Sequence, residues 1–176
     1  MPDYLFRDNN FYNWRDDLLR AEINRFAGMN LNALEGPAIG HLIESAGNGP
    51  IFDVPTLILD KRRGVAANSV MDVHIPFAGN ASLFRVIPTS SIQISKKANV
   101  LRDEIIVQFP DSDRIGSDLS EFIEAVQQNL SSLRNNIEEF KPELRQRIQG
   151  TVARRIAELK ALAQKDQGLG FPVSRS

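Results

Sequence analysis

The chain has 176 residues, of which 42% are hydrophobic and 24% are charged, and this composition excludes wholesale disorder. There is no cysteine, which excludes disulfides and thiolate metal sites, and no apolar run approaches the roughly 18 residues of a membrane-spanning helix. The net charge is −1, and the eight basic and five acidic residues between positions 61 and 116 only hint at the basic face of a DNA-binding protein. We therefore expect a cytoplasmic protein without a membrane segment.

Two helices are predicted in the N-terminal part of the chain. The first covers residues 13–27, where Asn13 can cap the start and Gly28 can end the last turn. The second has Pro37 at its first position and ends before a turn at residues 46–50. This glycine-rich turn lacks the residue spacing of a phosphate-binding loop, so we interpret it as a turn only.

The middle third of the chain has the pattern of a β-sheet. Five runs are predicted as strands, at residues 56–59, 73–77, 83–87, 91–94 and 104–109. Gly79-Asn80 is expected to join the second and third runs as a hairpin, and residues 96–99 to form the turn between the last two. Pro76 has no N–H to donate, which places its strand at an edge or the proline at the strand's end. We expect a small, mainly antiparallel sheet of four or five strands.

The C-terminal third carries an apolar stripe at helical spacing. Its members recur at steps of three or four residues, and they are Val126, Leu130, Leu133, Ile137, Phe140, Leu144, Ile148, Val152, Ile156 and Leu159. A stripe of this length is covered either by the rest of the chain or by another copy of it. Because so small a sheet cannot cover its whole length, we predict that it binds a partner or a second copy. The residues that we assign to this contact are Val126, Leu130, Leu133, Ile137, Phe140, Leu144, Ile148 and Ile156.

Pro142 interrupts this helical pattern. A proline inside a helix removes one hydrogen bond and clashes with the preceding turn. Two geometries therefore stay open, a helix kinked at Pro142 or a helical hairpin that begins its second arm there. The predicted fold is α+β, with a domain at residues 1–116, a helical or coiled-coil arm at 117–167 and a tail or linker at 168–176.

No residue pattern indicates a reaction. His41 and Glu44 share a helix face, and Asp53 and Asp60 complete the only acidic set that we considered for an enzyme. Their spacing matches no metal or catalytic motif, so we predict a non-enzymatic protein without a metal or cofactor. Two basic clusters are candidate anion-binding sites, and they consist of Lys61, Arg62, Arg63, Arg154 and Arg155.

Three short segments carry a resemblance to a known group of proteins. They are Ile75-Pro76-Phe77-Ala78-Gly79, Leu83-Phe84-Arg85-Val86-Ile87-Pro88 and Leu169-Gly170-Phe171-Pro172-Val173. Together with the long helix between them, they resemble an uncharacterised amino-terminal module of multidomain bacterial proteins, some of antiviral-defence type. The resemblance implies that a variable domain would follow Ser176, so that this chain is a truncated form or a stand-alone relative. It implies no catalytic residues.

These observations lead to two main functional hypotheses. The first is a non-enzymatic interaction or oligomerisation module, the sensor or scaffold of a bacterial defence-type system, which binds itself or another protein through the C-terminal helices. The alternative is a nucleic-acid or nucleotide sensor that uses Lys61, Arg62, Arg63 and the helix arginines.

Overall fold

The computed structural model describes residues 3–168 and confirms the α+β fold. Its four α-helices are α1 (Phe11–Ala27), α2 (Leu31–Glu35), α3 (Ile39–Asn48) and α4 (Ile115–Gln167). Its eight β-strands are β1 (Asp3–Tyr4), β2 (Asn9–Asn10), β3 (Thr56–Leu57), β4 (Arg63–Ala67), β5 (Val70–Ala78), β6 (Val86–Ile87), β7 (Lys97–Val100) and β8 (Glu104–Pro110). The predicted tail beyond Gly168, with the last segment of the resemblance, lies outside the described residues.

The sheet is antiparallel and is centred on β5 and β8. Its strand order is β1-β7-β8-β5-β3, and β4 pairs with β5 beside β3. A separate pair of short strands, β2 and β6, is parallel. The antiparallel sheet was expected, but its hairpin is not the predicted one, because β5 turns back to β4 and not to residues 83–87. Residues 81–85 instead form a 3-10 helix, which Asn80 caps with its side chain.

Two further predictions in this region, a strand and a turn, are wrong. Residues 91–94 form no strand, and the predicted turn at 96–99 is largely strand β7, which pairs with β8. The alternation of apolar residues in 91–94 therefore occurs in a segment that pairs with no strand among the described residues. Within residues 91–94, Ile94 is the single buried apolar side chain.

Pro76 was predicted in an edge strand or at the end of a strand, and it lies in the central strand β5, two residues before that strand ends at Ala78. On one side of β5, the pairing with β4 ends at His74 and the pairing with β3 begins at Phe77. On the β3 side the Pro76 C=O accepts from the Ile58 N–H at 2.7 Å, and on the other side Pro76 pairs with Glu104 of β8. The Ile58 C=O accepts from the Lys61 N–H at 3.2 Å, so the missing N–H of proline leaves this acceptor paired, which explains why a central strand tolerates the proline.

The N-terminal helices differ from their predicted bounds. α1 begins two residues earlier than expected because Asn10, and not Asn13, caps it: the Asn10 Oδ1 atom accepts from the Asn13 backbone N–H at 2.9 Å. The short helix α2 was not predicted, although Asn30 caps it in the same way. α3 continues to Asn48, through most of the segment that was interpreted as a turn.

α4 is one helix of 53 residues, and Pro142 lies inside it. The hairpin alternative is therefore wrong. The apolar stripe keeps its phase across the proline, and the buried residues Phe140 and Leu144 flank it on both sides. Packing of these side chains offsets the hydrogen bond that the proline removes.

The described chain divides into two compact units, and this division differs from the predicted boundary at residue 116. Within the described residues, unit 1 comprises residues 3–15 and 50–139, and unit 2 comprises residues 16–49 and 140–168. α4 therefore contributes its first part to unit 1 and the remainder to unit 2. In unit 1, the Phe109 ring of β8 meets the Phe122 ring of α4 edge to face, with ring centres 6.2 Å apart. One face of the sheet is thus covered by the first part of α4.

Candidate interaction surface

The apolar stripe of α4 is core, and this corrects its prediction as an exposed contact. Seven of the eight assigned residues are buried within one copy of the chain, and they are Val126, Leu130, Leu133, Ile137, Phe140, Leu144 and Ile148. The sheet is not the only cover of the stripe, because unit 2 places α2, α3 and most of α1 in the same compact body as the second half of α4. A buried stripe cannot bind a partner without unfolding.

Only the last part of the apolar stripe is not buried. After Val152 no described residue of this helix is buried, and Ile156 and Leu159 are half-buried. Leu162 is the one large hydrophobic residue of this part that is classed as exposed, at 37%. This part of the helix also forms an ion pair, in which the Lys160 Nζ atom lies 2.5 Å from the Glu35 Oε1 atom of α2. The uncovered remainder of the stripe is therefore short and only partly apolar.

The most exposed regular element of unit 1 is strand β4. Every residue from Lys61 to Ser69 is exposed, and Val65 at its centre keeps 51% of its surface. The turn that joins β4 to β5 is Asn68-Ser69, and both residues have positive φ angles, of 52° and 62°. A two-residue turn of this kind matches the twist of a hairpin, so β4 is held as a well-formed strand.

β4 has a strand on one side only. Its register to β5 joins Ala67 to Val70, Val65 to Asp72 and Arg63 to His74. Because a two-residue hairpin closes with a hydrogen-bonded pair and such pairs alternate, Arg63, Val65 and Ala67 direct their N–H and C=O groups toward β5. Gly64 and Ala66 therefore direct theirs outward.

No backbone partner of Gly64 or Ala66 on the outer side exists among the described residues. Unpaired groups at the edge of a sheet are a template for a further strand, and proteins usually protect such an edge with a proline, a bulge or an inward charge. β4 has no proline and no bulge, and its one charged residue stands at its first position. The outer side of β4 is an open edge, and we call it the β4 edge.

The first basic cluster stands at the start of this edge, and its third member is neutralised. The Arg63 Nη2 atom lies 3.0 Å from the Glu104 Oε2 atom and 3.1 Å from the His74 Nδ1 atom. Glu104 also lies 3.3 Å from His74. Arg62 donates to the Leu59 carbonyl oxygen at 3.4 Å. Lys61 and Arg62 thus retain the positive charge of this cluster.

The second basic cluster lies in unit 2 and is described by itself. Arg154 is exposed, and the Arg155 Nη1 atom lies 3.5 Å from the Glu158 carboxylate. The two predicted anion-binding clusters belong to different units, so neither extends the other within one compact body.

An apolar groove of 260 Å³ borders the start of β4 on its covered face. Its lining comprises Arg62, Arg63, Gly64, Met71, Val73, Ile115, Gly116 and Leu119. A Cβ atom at Gly64 would lie 2.7 Å from the Met71 sulfur, so the Met71 side chain would have to shift to accept a larger residue there. The glycine and two basic residues therefore line the same groove.

The four residues of the enzyme alternative are divided between the two units. His41 and Glu44 lie on α3 in unit 2, where Glu44 is 3.7 Å from Arg145, whereas Asp53 and Asp60 lie in unit 1. Across residues 3–168, no group of three or more His, Cys, Asp or Glu side chains could hold a metal ion.

Sequence reasoning missed one buried polar residue that shapes unit 1. Asn129 lies fully buried on α4, and its side chain accepts from the Ile92 N–H at 2.7 Å and donates to the Ile92 C=O at 2.8 Å. Two turns further along α4, the Asn136 Oδ1 atom accepts from the Thr89 N–H at 2.9 Å. These two asparagines fasten the extended segment 89–95 that was predicted as a strand. An asparagine inside the apolar stripe was the available signal.

β4 itself was also missed. Asn68-Ser69 between Val65 and Val70 is a turn dipeptide flanked by β-branched residues, and this signal was present in the sequence. The basic cluster drew the interpretation of this region toward a solvated turn.

Comparison of the chain with models of protein families, with curated proteins and with solved structures finds no match. Within the described residues, no helix combines enough length with enough apolarity to cross a membrane.

Proposed function

We propose that this protein is a non-enzymatic interaction module that binds an extended strand of a protein partner at the β4 edge. The observation that carries the proposal is the open backbone of Gly64 and Ala66 in a fully exposed strand. Addition of a strand to such an edge gives affinity through main-chain hydrogen bonds and specificity through alternate side chains. The proposed contact surface is thus the edge of the sheet, and no longer the stripe of α4 that the sequence predicted.

The side chains beside the edge suit this mode of binding. Val65 offers an exposed apolar side chain at the centre of the strand, where a residue of the added strand would stand opposite it. Lys61 and Arg62 give the start of the strand a positive charge. A scaffold or sensor of the defence-type systems that the sequence resembles would need such a surface and no catalytic centre.

Nucleic-acid binding is the less favoured function. A phosphate-binding surface needs several free cations on one face, and Arg63 is already paired with Glu104. Two exposed carboxylates lie near the two ends of the β4–β5 hairpin: Asp60 precedes Lys61, and the Asp111 N–H donates to the Ser69 carbonyl. Their negative charge opposes the binding of phosphate. The remaining charge of Lys61 and Arg62 supports guidance of a protein partner better than it supports binding along a phosphate backbone.

Photo-crosslinking in the cell of origin tests the proposal. A photoreactive amino acid replaces Val65 in the full chain, and the adduct is compared between the Ala66→Pro and Ala66→Ser variants. Ala66→Pro removes the outward N–H and leaves the β5 ladder intact, whereas Ala66→Ser keeps the N–H.

We expect a protein adduct with the Ala66→Ser variant and its loss with Ala66→Pro. An adduct that is equal in both variants, the absence of any protein adduct, or an adduct removed by nuclease would overturn the proposal. The melting temperature of each variant verifies that the hairpin remains folded.

A further inference from the structure

The β4 edge is complementary to a second copy of itself in its hydrogen bonds. When two β4 strands lie antiparallel about a two-fold axis at Val65, Gly64 of each copy stands opposite Ala66 of the other. These are the two residues whose N–H and C=O groups point outward. The pairing therefore forms four backbone hydrogen bonds and leaves no outward group of the strand interior unpaired.

The side chains agree with the same register. Val65 of each copy faces Val65 of the other in a pair without hydrogen bonds, the type in which side chains approach most closely. Half of the Val65 surface is exposed in the single chain. Contact between two such side chains would remove apolar surface from water at the centre of the interface.

The charges along the hairpin fix the direction of the pairing. Arg62 is extended and continues the line of β4, so in this register it stands opposite Asn68 at the turn of the second copy. The turn of each copy is bordered by an acidic segment, because the Asp111 N–H donates to the Ser69 carbonyl at 2.9 Å. Asp111 and Asp113 exceed the single charge of Arg114 there.

Lys61 and Arg62 outnumber the exposed carboxylate of Asp60 at the start of β4. An antiparallel pair thus brings this start of each β4 toward the turn of the other copy, which Asp111 borders on the β8 side. A parallel pair would set the two basic starts side by side, where like charges repel. An unrelated peptide would need to bring its own acidic group, whereas a second copy carries one at the required end.

We infer that two copies of this chain associate through antiparallel β4 strands into one continuous sheet. This inference rests on the proposed function, since it names the strand that the β4 edge binds. All the residues that it uses belong to unit 1.

A charge-reversal experiment on the full chain tests the inference. Variant A carries Lys61→Glu and Arg62→Glu, and variant B carries Asp111→Lys and Asp113→Lys. In either variant alone, both ends of the antiparallel interface place like charges together. In an equal mixture of A and B, both ends place opposite charges together, so the mixture restores the wild-type pattern.

Sedimentation velocity across a concentration series gives the dimer dissociation constant. We expect wild-type dimers, a dissociation constant weakened about tenfold or more for A or B alone, and recovery in the mixture as a heterodimer. The weakening should shrink at high salt. A monomeric wild type, or a mixture no tighter than its components, would overturn the inference.

Failure of this inference and failure of the proposed function are distinguishable. If the chain is monomeric but the Val65 crosslink still depends on the Ala66 N–H and joins a different protein, the second copy is the wrong partner and the β4 edge still binds a strand. If no crosslink depends on the Ala66 N–H, both are wrong. Circular dichroism of variants A and B ensures that a loss of dimer is not a loss of fold.

Discussion

The apolar stripe of α4 and the strand β4 differ both in composition and in exposure to solvent. The stripe is rich in leucine, isoleucine and valine, and all of its members from Val126 to Val152 are buried in one chain. β4 reads Arg-Gly-Val-Ala-Ala, and each of its residues is exposed. The stronger hydrophobic signal belongs to the core and the weaker one to the open surface. A candidate contact is therefore better judged by unpaired backbone groups than by the amount of apolar sequence.

The largest effect that this comparison predicts is on stability. Leu133→Ala should lower the free energy of unfolding by about 2–5 kcal/mol, because the fully buried side chain leaves a cavity. Leu162→Ala makes the same chemical change at an exposed position of the same helix and should cost less than about 1 kcal/mol. Urea denaturation measures both. Equal costs would mean that the stripe is not core at Leu133.

A second prediction concerns backbone groups that are satisfied by a side chain. Asn129→Ala leaves the N–H and C=O of Ile92 without the partner that the buried amide supplies, and should cost about 1–3 kcal/mol. Asn135→Ala, at an exposed position of the same helix, is the matched control and should be near neutral. Thermal unfolding followed by circular dichroism compares the two. A neutral Asn129→Ala would show that segment 89–95 is held by other contacts.

The turn that presents β4 gives a smaller effect with the opposite sign. Ser69→Gly should stabilise the protein by about 0.5–1 kcal/mol, because glycine adopts the positive φ of this position without strain. Ser69→Ala keeps a Cβ atom and should gain nothing. Chemical denaturation of the pair isolates the backbone term. A stabilisation by alanine equal to that by glycine would contradict the left-handed geometry of the turn.

The smallest effect is expected at the ion pair beside β4. Glu104→Gln removes the charge that faces Arg63 and should change the free energy of unfolding by less than about 1 kcal/mol, because the Arg63 side chain is 56% exposed. The change should become smaller still in high salt. Unfolding curves at low and high ionic strength test this. A salt-independent loss of several kcal/mol would assign the Arg63 pair a structural role that we do not expect.

The sequence was informative where a pattern has one physical meaning. The long helix, its stripe and the strand at Glu104–Pro110 follow from periodicity alone, and the structure confirms them. The continuous phase of Ile137, Phe140 and Leu144 was the signal for a helix kinked at Pro142, with the hairpin left open, and the structure has one helix there. Periodicity shows that a face is apolar, however, and does not show which part of the chain covers it.

The pairing of strands depends on contacts that lie far apart in the sequence. β5 has β8 on one side and both β3 and β4 on the other, so the position of Pro76 could not be judged from its own segment. The clamp of Asn129 on Ile92 joins residues 37 positions apart. The candidate surface was missed for a related reason, since an open edge is defined by the absence of a neighbour and not by its own residues.

Hydrogen exchange at increasing protein concentration tests the central claim most directly. The amides of Gly64 and Ala66 should exchange more slowly as the concentration rises, because a second strand pairs with them, while the amides of α4 from Phe122 to Val152 should not change. A slowing confined to α4, with Gly64 and Ala66 unaffected, would contradict the account and return the contact to the helix.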